Sequence, residues 1–158
     1  MKNIFKTIIF DLDDTLYDTS GRLDDATPNF EGMKLLPGVR EILEQIKAKK
    51  ILLTHGSEAI QNKKIDTLGL KNLFDEIIIV ATNAEKLSVF EKIKSEFPNP
   101  KEVAVVGDRR DAEIRFGNIC GFTTILIPGF KYKSLAPKDD LEIPAYEIRA
   151  FSDLTNLF

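Results

Sequence analysis

The chain has 158 residues, with 22 Lys+Arg against 25 Asp+Glu and a formal net charge of −3. That length suits one domain and lets about 68–70% of the unfolded surface be buried without a disulfide or metal staple. Its 43% apolar and 30% charged residues are those of an ordinary soluble globular protein, and the acidic balance excludes a dedicated nucleic-acid-binding module, which carries a basic excess.

In chain order, the first apolar run is TIIF (7–10). It leads straight into Asp11, Asp13 and Asp14, so it is no secretory h-region despite Lys2 and Lys6 before it. Residues 19–36, with Gly21, Pro28 and Gly32, read as a loop. A helix is expected over 38–49, opened by Pro37 and placing Val39, Ile42, Leu43 and Ile46 on one face. The run ILL (51–53) precedes a second helix over 57–68, with Ser57 as N-cap and Gly69 as stop. IIIVA (77–81) precedes a third over 84–97, and VAVVG (103–107) a fourth over 109–119, ending at Gly121. TILI (124–127) leads into a Pro-rich loop over 128–145, then a short strand and a short terminal helix.

These apolar runs are continuous rather than alternating, as in strands covered on both faces of a parallel sheet. Strand and helix alternate four times, the signature of an α/β fold with right-handed crossovers. Cys120 is the only cysteine, so no disulfide framework or thiolate zinc cluster exists, and it reads as a buried apolar residue. The longest apolar stretch, 77–81, is far short of the ~20 residues that cross a bilayer. No membrane association is expected, and the compartment expected is the cytoplasm.

Ligands of open parallel sheets bind beyond the carboxyl ends of the strands. There this sequence places Asp11 and Asp13 after the first run, Thr54 and His55 after the second, Lys86 beyond the third, and Asp108 after the fourth. One aspartate after a strand is ordinarily a turn or capping residue. Carboxylate, hydroxyl and carboxylate at three strand ends, with an ammonium near a fourth, instead suit phosphoryl transfer. Aspartates supply oxygen ligands to a hard cation such as Mg²⁺. A carboxylate can be the nucleophile that forms an acyl phosphate. A hydroxyl and a lysine hold phosphoryl oxygens, and a second carboxylate serves as acid and then base.

On these residues the chain resembles the haloacid dehalogenase (HAD) superfamily. FDLDDTLYD (10–18) is similar to its D-x-D-x-T motif, LLTHGS (52–57) to its second motif, and VAVVGDRRDAEIRFGNICGF (103–122) to its acidic fourth motif. The resemblance covers essentially the whole chain. It implies a Rossmann-like three-layer α/β sandwich, a mainly parallel sheet of order 5-4-1-2-3, and Mg²⁺-dependent phosphatase activity. Carried over, Asp11 would be nucleophile and metal ligand. Asp13 would be the general acid/base, with its backbone carbonyl on the metal. Thr54, with His55 beside it, and Lys86 would bind phosphate, and Asp108 would be a metal ligand. Glu113 falls at the second acidic position, with Asp111 as the alternative. NAEKLS (83–88) lacks the prolines that often flank the third-motif lysine. Arg109 and Arg110 are expected in solvent or paired with Asp111 and Glu113.

A carbon–halogen hydrolase of the same fold needs neither the leaving-group acid nor the metal, so Asp13 and Asp108 speak against it. A receiver domain carries its acceptor aspartate after the third strand rather than the first. A catalytically silent binding protein is the third rival. Neither 19–36 nor the stretch between Thr54 and Lys86 has room for a lid domain of ~50 residues. The expectation is therefore one domain, 1–158, without a cap, with 19–36 as a short flap or lid-like loop. The site would be completed by that loop, by a second copy in a homo-oligomer, or by the substrate. A phosphorylated small molecule is the expected substrate, a phosphoprotein or nucleic-acid end the alternative, and no stable nucleic-acid binding is expected.

Overall fold

The structure is a computed structural model and describes residues 4–19, 29–129 and 135–158. Its frame is a sheet of six strands, β1 (Thr7–Phe10), β2 (Lys49–His55), β3 (Glu76–Val80), β4 (Val103–Gly107), β5 (Thr123–Leu126) and β6 (Tyr146–Glu147). The spatial order is β3-β2-β1-β4-β5-β6, and every pairing is parallel. From the opposite edge this is the expected order 5-4-1-2-3, with β6 added outside β5. Four helices cover it: α1 (Val39–Gln45), α2 (Glu58–Thr67), α3 (Glu85–Ser95) and α4 (Arg115–Cys120).

Burial on both faces explains the continuous apolar runs. Ile8 and Phe10 of β1 join Leu43 of α1, Ile65 of α2 and Phe151 of the terminal 3₁₀ turn in one core. Ile9 joins Phe90 and Ile93 of α3 and Phe122 in the other. β1 and β4, at the centre, are buried along their whole length, whereas β3 at one edge is only half-buried. The result is the three-layer sandwich that a strand–helix alternation predicts.

Three local features differ from the simple pattern. Ser57 stands at the N-cap of α2 but makes no side-chain capping bond. The fourth helix opens as a π turn, Arg110–Ile114, in which the Ile114 amide reaches the Arg109 carbonyl at 3.2 Å. The segment leading into β6 is attached through polar contacts, while Ile148, just beyond β6, is buried in the core. Arg115 binds Asp139 at 2.6 Å and Glu142 at 3.1 Å, and the Asn118 amide donates to the carbonyls of Leu141 and Ile143. Arg110 pairs with Glu147 of β6 at 3.1 Å rather than with Asp111 or Glu113. These bonds deliver Ala145, whose amide donates to Thr124 of β5, to the sheet edge.

Of the expected flap, residues 20–28 lie outside the described residues. The limb that returns from it is anchored by the Leu36 amide on the Leu16 carbonyl at 2.8 Å and by a bridge between Tyr17 and Leu35. Among the described residues, no helix is long and apolar enough to cross a membrane.

Phe90 is fully buried, its ring 5.8 Å from that of Phe122. Truncating it removes the ring that joins α3 to the sheet and leaves a cavity. Phe90→Ala is expected to lower the unfolding free energy by about 3–5 kcal/mol, read from urea denaturation. A loss under about 1 kcal/mol would mean that α3 does not depend on this contact.

Candidate functional site

The carboxyl ends of β1, β2 and β4 open into a cavity of ≈ 840 Å³. Asp11, Asp13, His55, Lys86, Asp108 and Glu113 are among its walls. A second, apolar cleft of ≈ 420 Å³ lies at the opposite end of the strands, between Phe5, Ile46 and Phe158.

The sheet itself sets the position of Asp11. Its amide continues the β1–β4 ladder by donating to the Val106 carbonyl at 3.0 Å, so its carboxylate emerges beside Asp108. Lys86 enters from the first turn of α3. It occupies the apolar face that continues through Phe90 and Ile93, and is only 1% exposed. A buried ammonium must be paired. Lys86 Nζ meets Asp11 Oδ1 at 2.8 Å and Glu113 Oε1 at 2.6 Å. Lys92 and Lys94, by contrast, lie in the last turn of α3, outside its buried face.

Glu113 reaches the cluster because of two backbone features. The π turn adds a residue to the helix turn, a device common at functional sites, and it leaves Ala112, Glu113 and Ile114 all buried. Gly107 then makes room, since a Cβ there would lie 2.6 Å from Glu113 Cβ. Asp111 goes the other way. It forms a two-pronged ion pair with Arg109 at 2.9 and 2.8 Å on the surface, and the guanidinium holds its carboxyl below the usual range.

Carboxylate oxygens of Asp11, Asp108 and Glu113 lie within 4.8 Å of one another, all buried. Among the described residues, one ammonium against three carboxylates leaves the cluster short of positive charge. Burial, followed by repulsion from Glu113, lifts the Asp11 carboxyl to about 6 even against the pull of Lys86. Burial and the charges of Asp11 and Glu113 push Asp108 up to about 10. Among the described residues, Glu113 Oε2 is buried without a hydrogen-bond partner. Oxygen ligands, excess negative charge and an orphaned carboxylate oxygen together fit a hard divalent cation.

Asp13 sits at the rim, its side chain 24% exposed. Its Oδ1 accepts from Lys64 Nζ at 2.8 Å and from the Tyr17 hydroxyl, and its Oδ2 from Gln61 Nε2 at 3.0 Å. Burial and the negative charge of Asp13 raise the Tyr17 phenol far above its ordinary value, so it stays a donor. Thr54 is wholly buried at the end of β2 and accepts from Gln61 Nε2 at 2.7 Å. His55 is half-buried, and burial together with the nearby Lys86 charge lowers its imidazole, favouring the neutral form.

Also on the cavity wall, Asp14 adopts a left-handed φ of 60° and accepts from the Thr19 amide and hydroxyl at 2.9 and 2.8 Å. Gly129 packs against it, where a Cβ would stand 2.7 Å from Asp14 Cβ. Sequence reasoning did not single out Gln61, Lys64 or Tyr17. The signal was present in α2, whose inward positions 61 and 64 carry polar residues where 65 and 68 are apolar.

With this geometry in hand, three comparisons bear on it. A family model described as haloacid dehalogenase-like hydrolase matches residues 29–121. A glyceraldehyde 3-phosphate phosphatase of Methanopyrus kandleri is 31% identical over 136 residues, covering 75% of this chain and 54% of that protein. The chain therefore spans about half the length of that relative. Among solved structures, the magnesium-bound HAD hydrolase YfnB of Bacillus subtilis superposes with a TM-score of 0.74 at 16% identity, covering 96% of this chain and 97% of that one. The L-2-haloacid dehalogenase of Xanthobacter autotrophicus gives 0.72 at 14%, covering 97% and 98%. At such identities these two structures share the fold.

Two outcomes follow from the cluster. Gly107→Ala is expected to lower the melting temperature, and adding Glu113→Ala to it should recover part of that loss, because the double variant removes Glu113 Cγ and Cδ, which a Cβ at 107 would meet at 3.0 Å or less, and leaves only the Cβ contact. Simple additivity of the two losses would contradict the packing described. The second concerns pH. Carboxyls raised above their unfolded value of 3.8 stabilise the metal-free fold below about pH 4, and that contribution is lost as pH climbs through about 6 for Asp11 and about 10 for Asp108. Cation binding must displace the same protons. The rise in melting temperature on adding Mg²⁺ should therefore be larger at about pH 8.5 than at about pH 5.5, by scanning calorimetry. Equal rises would exclude these carboxyls as the ligands.

Proposed function

The chain belongs to the haloacid dehalogenase-like hydrolase family, and from that premise we propose that it is a Mg²⁺-dependent phosphatase of a small phosphorylated metabolite. The observation that carries this reading is the buried Asp11, held at 2.8 Å by Lys86 and flanked by Asp108 and Glu113. The nearby Asp13, on a different set of donors, completes it.

Asp11 is the nucleophile. Its carboxylate oxygen attacks phosphorus, the Asp11–phosphorus bond forms, and the bond to the leaving oxygen breaks. Asp13 hands its proton to that oxygen, so the product leaves as an alcohol. Asp13 then takes a proton from water as the water oxygen attacks phosphorus and releases Asp11 and inorganic phosphate. Lys86 and Thr54 supply donors to the phosphoryl oxygens. Asp11, Asp108, Glu113 and the Asp13 backbone carbonyl are the groups that would hold Mg²⁺, which when bound offsets phosphate charge and that of the carboxylates. His55 lines the cavity wall, where burial and the Lys86 charge favour its neutral form.

Repulsion shapes the order of events. Asp11 must be ionised to attack, yet burial and Glu113 raise its carboxyl. The Lys86 ammonium opposes both and keeps the nucleophile charged at neutral pH. A halide leaves as an anion without a proton, so carbon–halogen cleavage gives Asp13 and its three donors no task. The cavity volume of ≈ 840 Å³ lies in the range that encloses small-molecule ligands. The named relative is a phosphatase of a three-carbon sugar phosphate, which supports a sugar phosphate as the first class to test.

Purified protein should release phosphate from p-nitrophenyl phosphate with Mg²⁺, lose this in EDTA, and regain it on re-addition of the ion. Asp11→Asn should lower kcat by on the order of 10³-fold or more. A rate in that variant equal to wild type would sink the covalent mechanism. A screen over phosphorylated sugars should find one with kcat/KM well above the aryl phosphate. Uniformly weak turnover would point to a macromolecular substrate.

A further inference from the structure

The inward face of α2 is unusual for a helix that covers a sheet. Positions 65 and 68 carry Ile and Leu, as expected, but 61 and 64 carry Gln and Lys, only 2% and 3% exposed. Residues three apart on a helix share a face, and both side chains turn to the same acceptor. Gln61 Nε2 lies 3.0 Å from Asp13 Oδ2, and Lys64 Nζ lies 2.8 Å from Asp13 Oδ1. A buried amide and a buried ammonium cost stability unless bonded, so helix packing alone does not account for either.

Each has a second contact that restricts it. The same Gln61 nitrogen donates to Thr54 Oγ1 at 2.7 Å, tying the amide to the end of β2. Lys64 Nζ also lies 5.9 Å from the centre of the Tyr17 ring, whose hydroxyl donates to the Oδ1 that Lys64 holds. Among the described residues, Asp13 Oδ1 is thus engaged by two donors and Oδ2 by one. The carboxyl plane is fixed, and Oδ2 is the oxygen with capacity left for a transferable proton. Thr54 accepts from Gln61, which leaves its own hydroxyl proton for a phosphoryl oxygen.

We propose that Gln61 and Lys64, with Tyr17, are positioning residues for proton transfer, holding the Asp13 carboxyl group in register with Thr54 so that Oδ2 meets the leaving-group oxygen. This rests on Asp13 being the acid/base of the reaction above. In the first half, the Asp13 O–H bond breaks as the leaving oxygen gains the proton and parts from phosphorus. In the second, Oδ2 takes a proton from the attacking water. Gln61 and Lys64 act through Asp13, to whose carboxyl oxygens they donate.

A positioning role has a signature that a structural role lacks. Nitrophenolate is a weak base and leaves without a proton, whereas an alkoxide needs one. With Mg²⁺ present, Lys64→Met and Gln61→Leu should lower kcat/KM for glycerol 2-phosphate by ~10²-fold, and that for p-nitrophenyl phosphate by less than about tenfold. Lys64→Arg should restore most of the alkyl activity. Tyr17→Phe, which removes one oxygen and keeps the ring in the core, should show the same substrate-dependent loss, smaller in size, and it tests the idea if the other variants fold poorly. Equal losses on both substrates, or none on either, would overturn the proposal. Asp13→Asn separates the two levels of inference. If it leaves alkyl phosphate hydrolysis intact, the acid/base reading falls. If it abolishes that hydrolysis while all three positioning variants keep a wild-type ratio between substrates, only the positioning role falls.

Discussion

Three carboxylates and one ammonium, all withdrawn from water within a few ångströms, are the constraint around which the molecule is arranged. Asp11, Asp108 and Glu113 repel one another, and each has lost the hydration that would soften that repulsion. Lys86 offsets part of it through contacts at 2.8 and 2.6 Å. On the proposed reading, the remaining imbalance is stability given up at the site in exchange for affinity toward a cation and a phosphoryl group, a common trade in enzymes. The rest of the fold keeps these groups from relaxing apart. The rigid centre of the sheet, β1 and β4, carries two of the carboxylates. Gly107 removes the Cβ that would displace the third, and α3 anchors the lysine through Phe90 and Ile93.

The sheet was legible because its chemistry is local. A run such as VAVVG, apolar on consecutive residues, can be satisfied only where both faces are covered, and β4 spans those five residues. The strand-end residues Asp11, Asp13, Thr54 and Asp108 were legible for a related reason. Polar groups directly after buried strands have few places to go but the carboxyl edge. β6 was harder to place, since its attachment runs through Arg115, Asn118 and Thr124 to backbone carbonyls and acidic groups of the 135–147 segment. Such long-range polar bonds leave no periodicity in either partner. The choice between Glu113 and Asp111 likewise turned on the π turn, which shifts the facing of a helix by a residue and has no compositional signature.

α2 and α3 show why polar residues on a helix are ambiguous from sequence. In α3 the buried lysine heads an apolar stripe of Phe90 and Ile93, and its placement could be read from spacing. In α2 the same logic was available, because Gln61 and Lys64 share a face with Ile65 and Leu68. Yet a helix reading EAIQNKKIDT is also what a solvated surface helix looks like. The difference lies in the partner. Only the knowledge that Asp13 and Thr54 stand opposite turns a polar face into an inward one.

The two aspartates of the D-x-D pair are consequently held by different parts of the molecule. Asp11 belongs to the sheet, its amide in the ladder to Val106 and its carboxylate against Lys86. Asp13, two residues on, has left the ladder and is held from the side by α2 and Tyr17. On the proposed reading, Asp11 as nucleophile needs a fixed position relative to phosphorus, and a sheet centre supplies that. Asp13 as the acid that meets a leaving oxygen and later a water needs a fixed orientation at a half-open rim, which the donors of α2 and Tyr17 supply. Dividing the pair between a rigid sheet and a polar helix face satisfies both demands within three residues of chain. It would also account for α2, alone among the described helices over this sheet, carrying both an amide and an ammonium inward to a single carboxylate at the cavity.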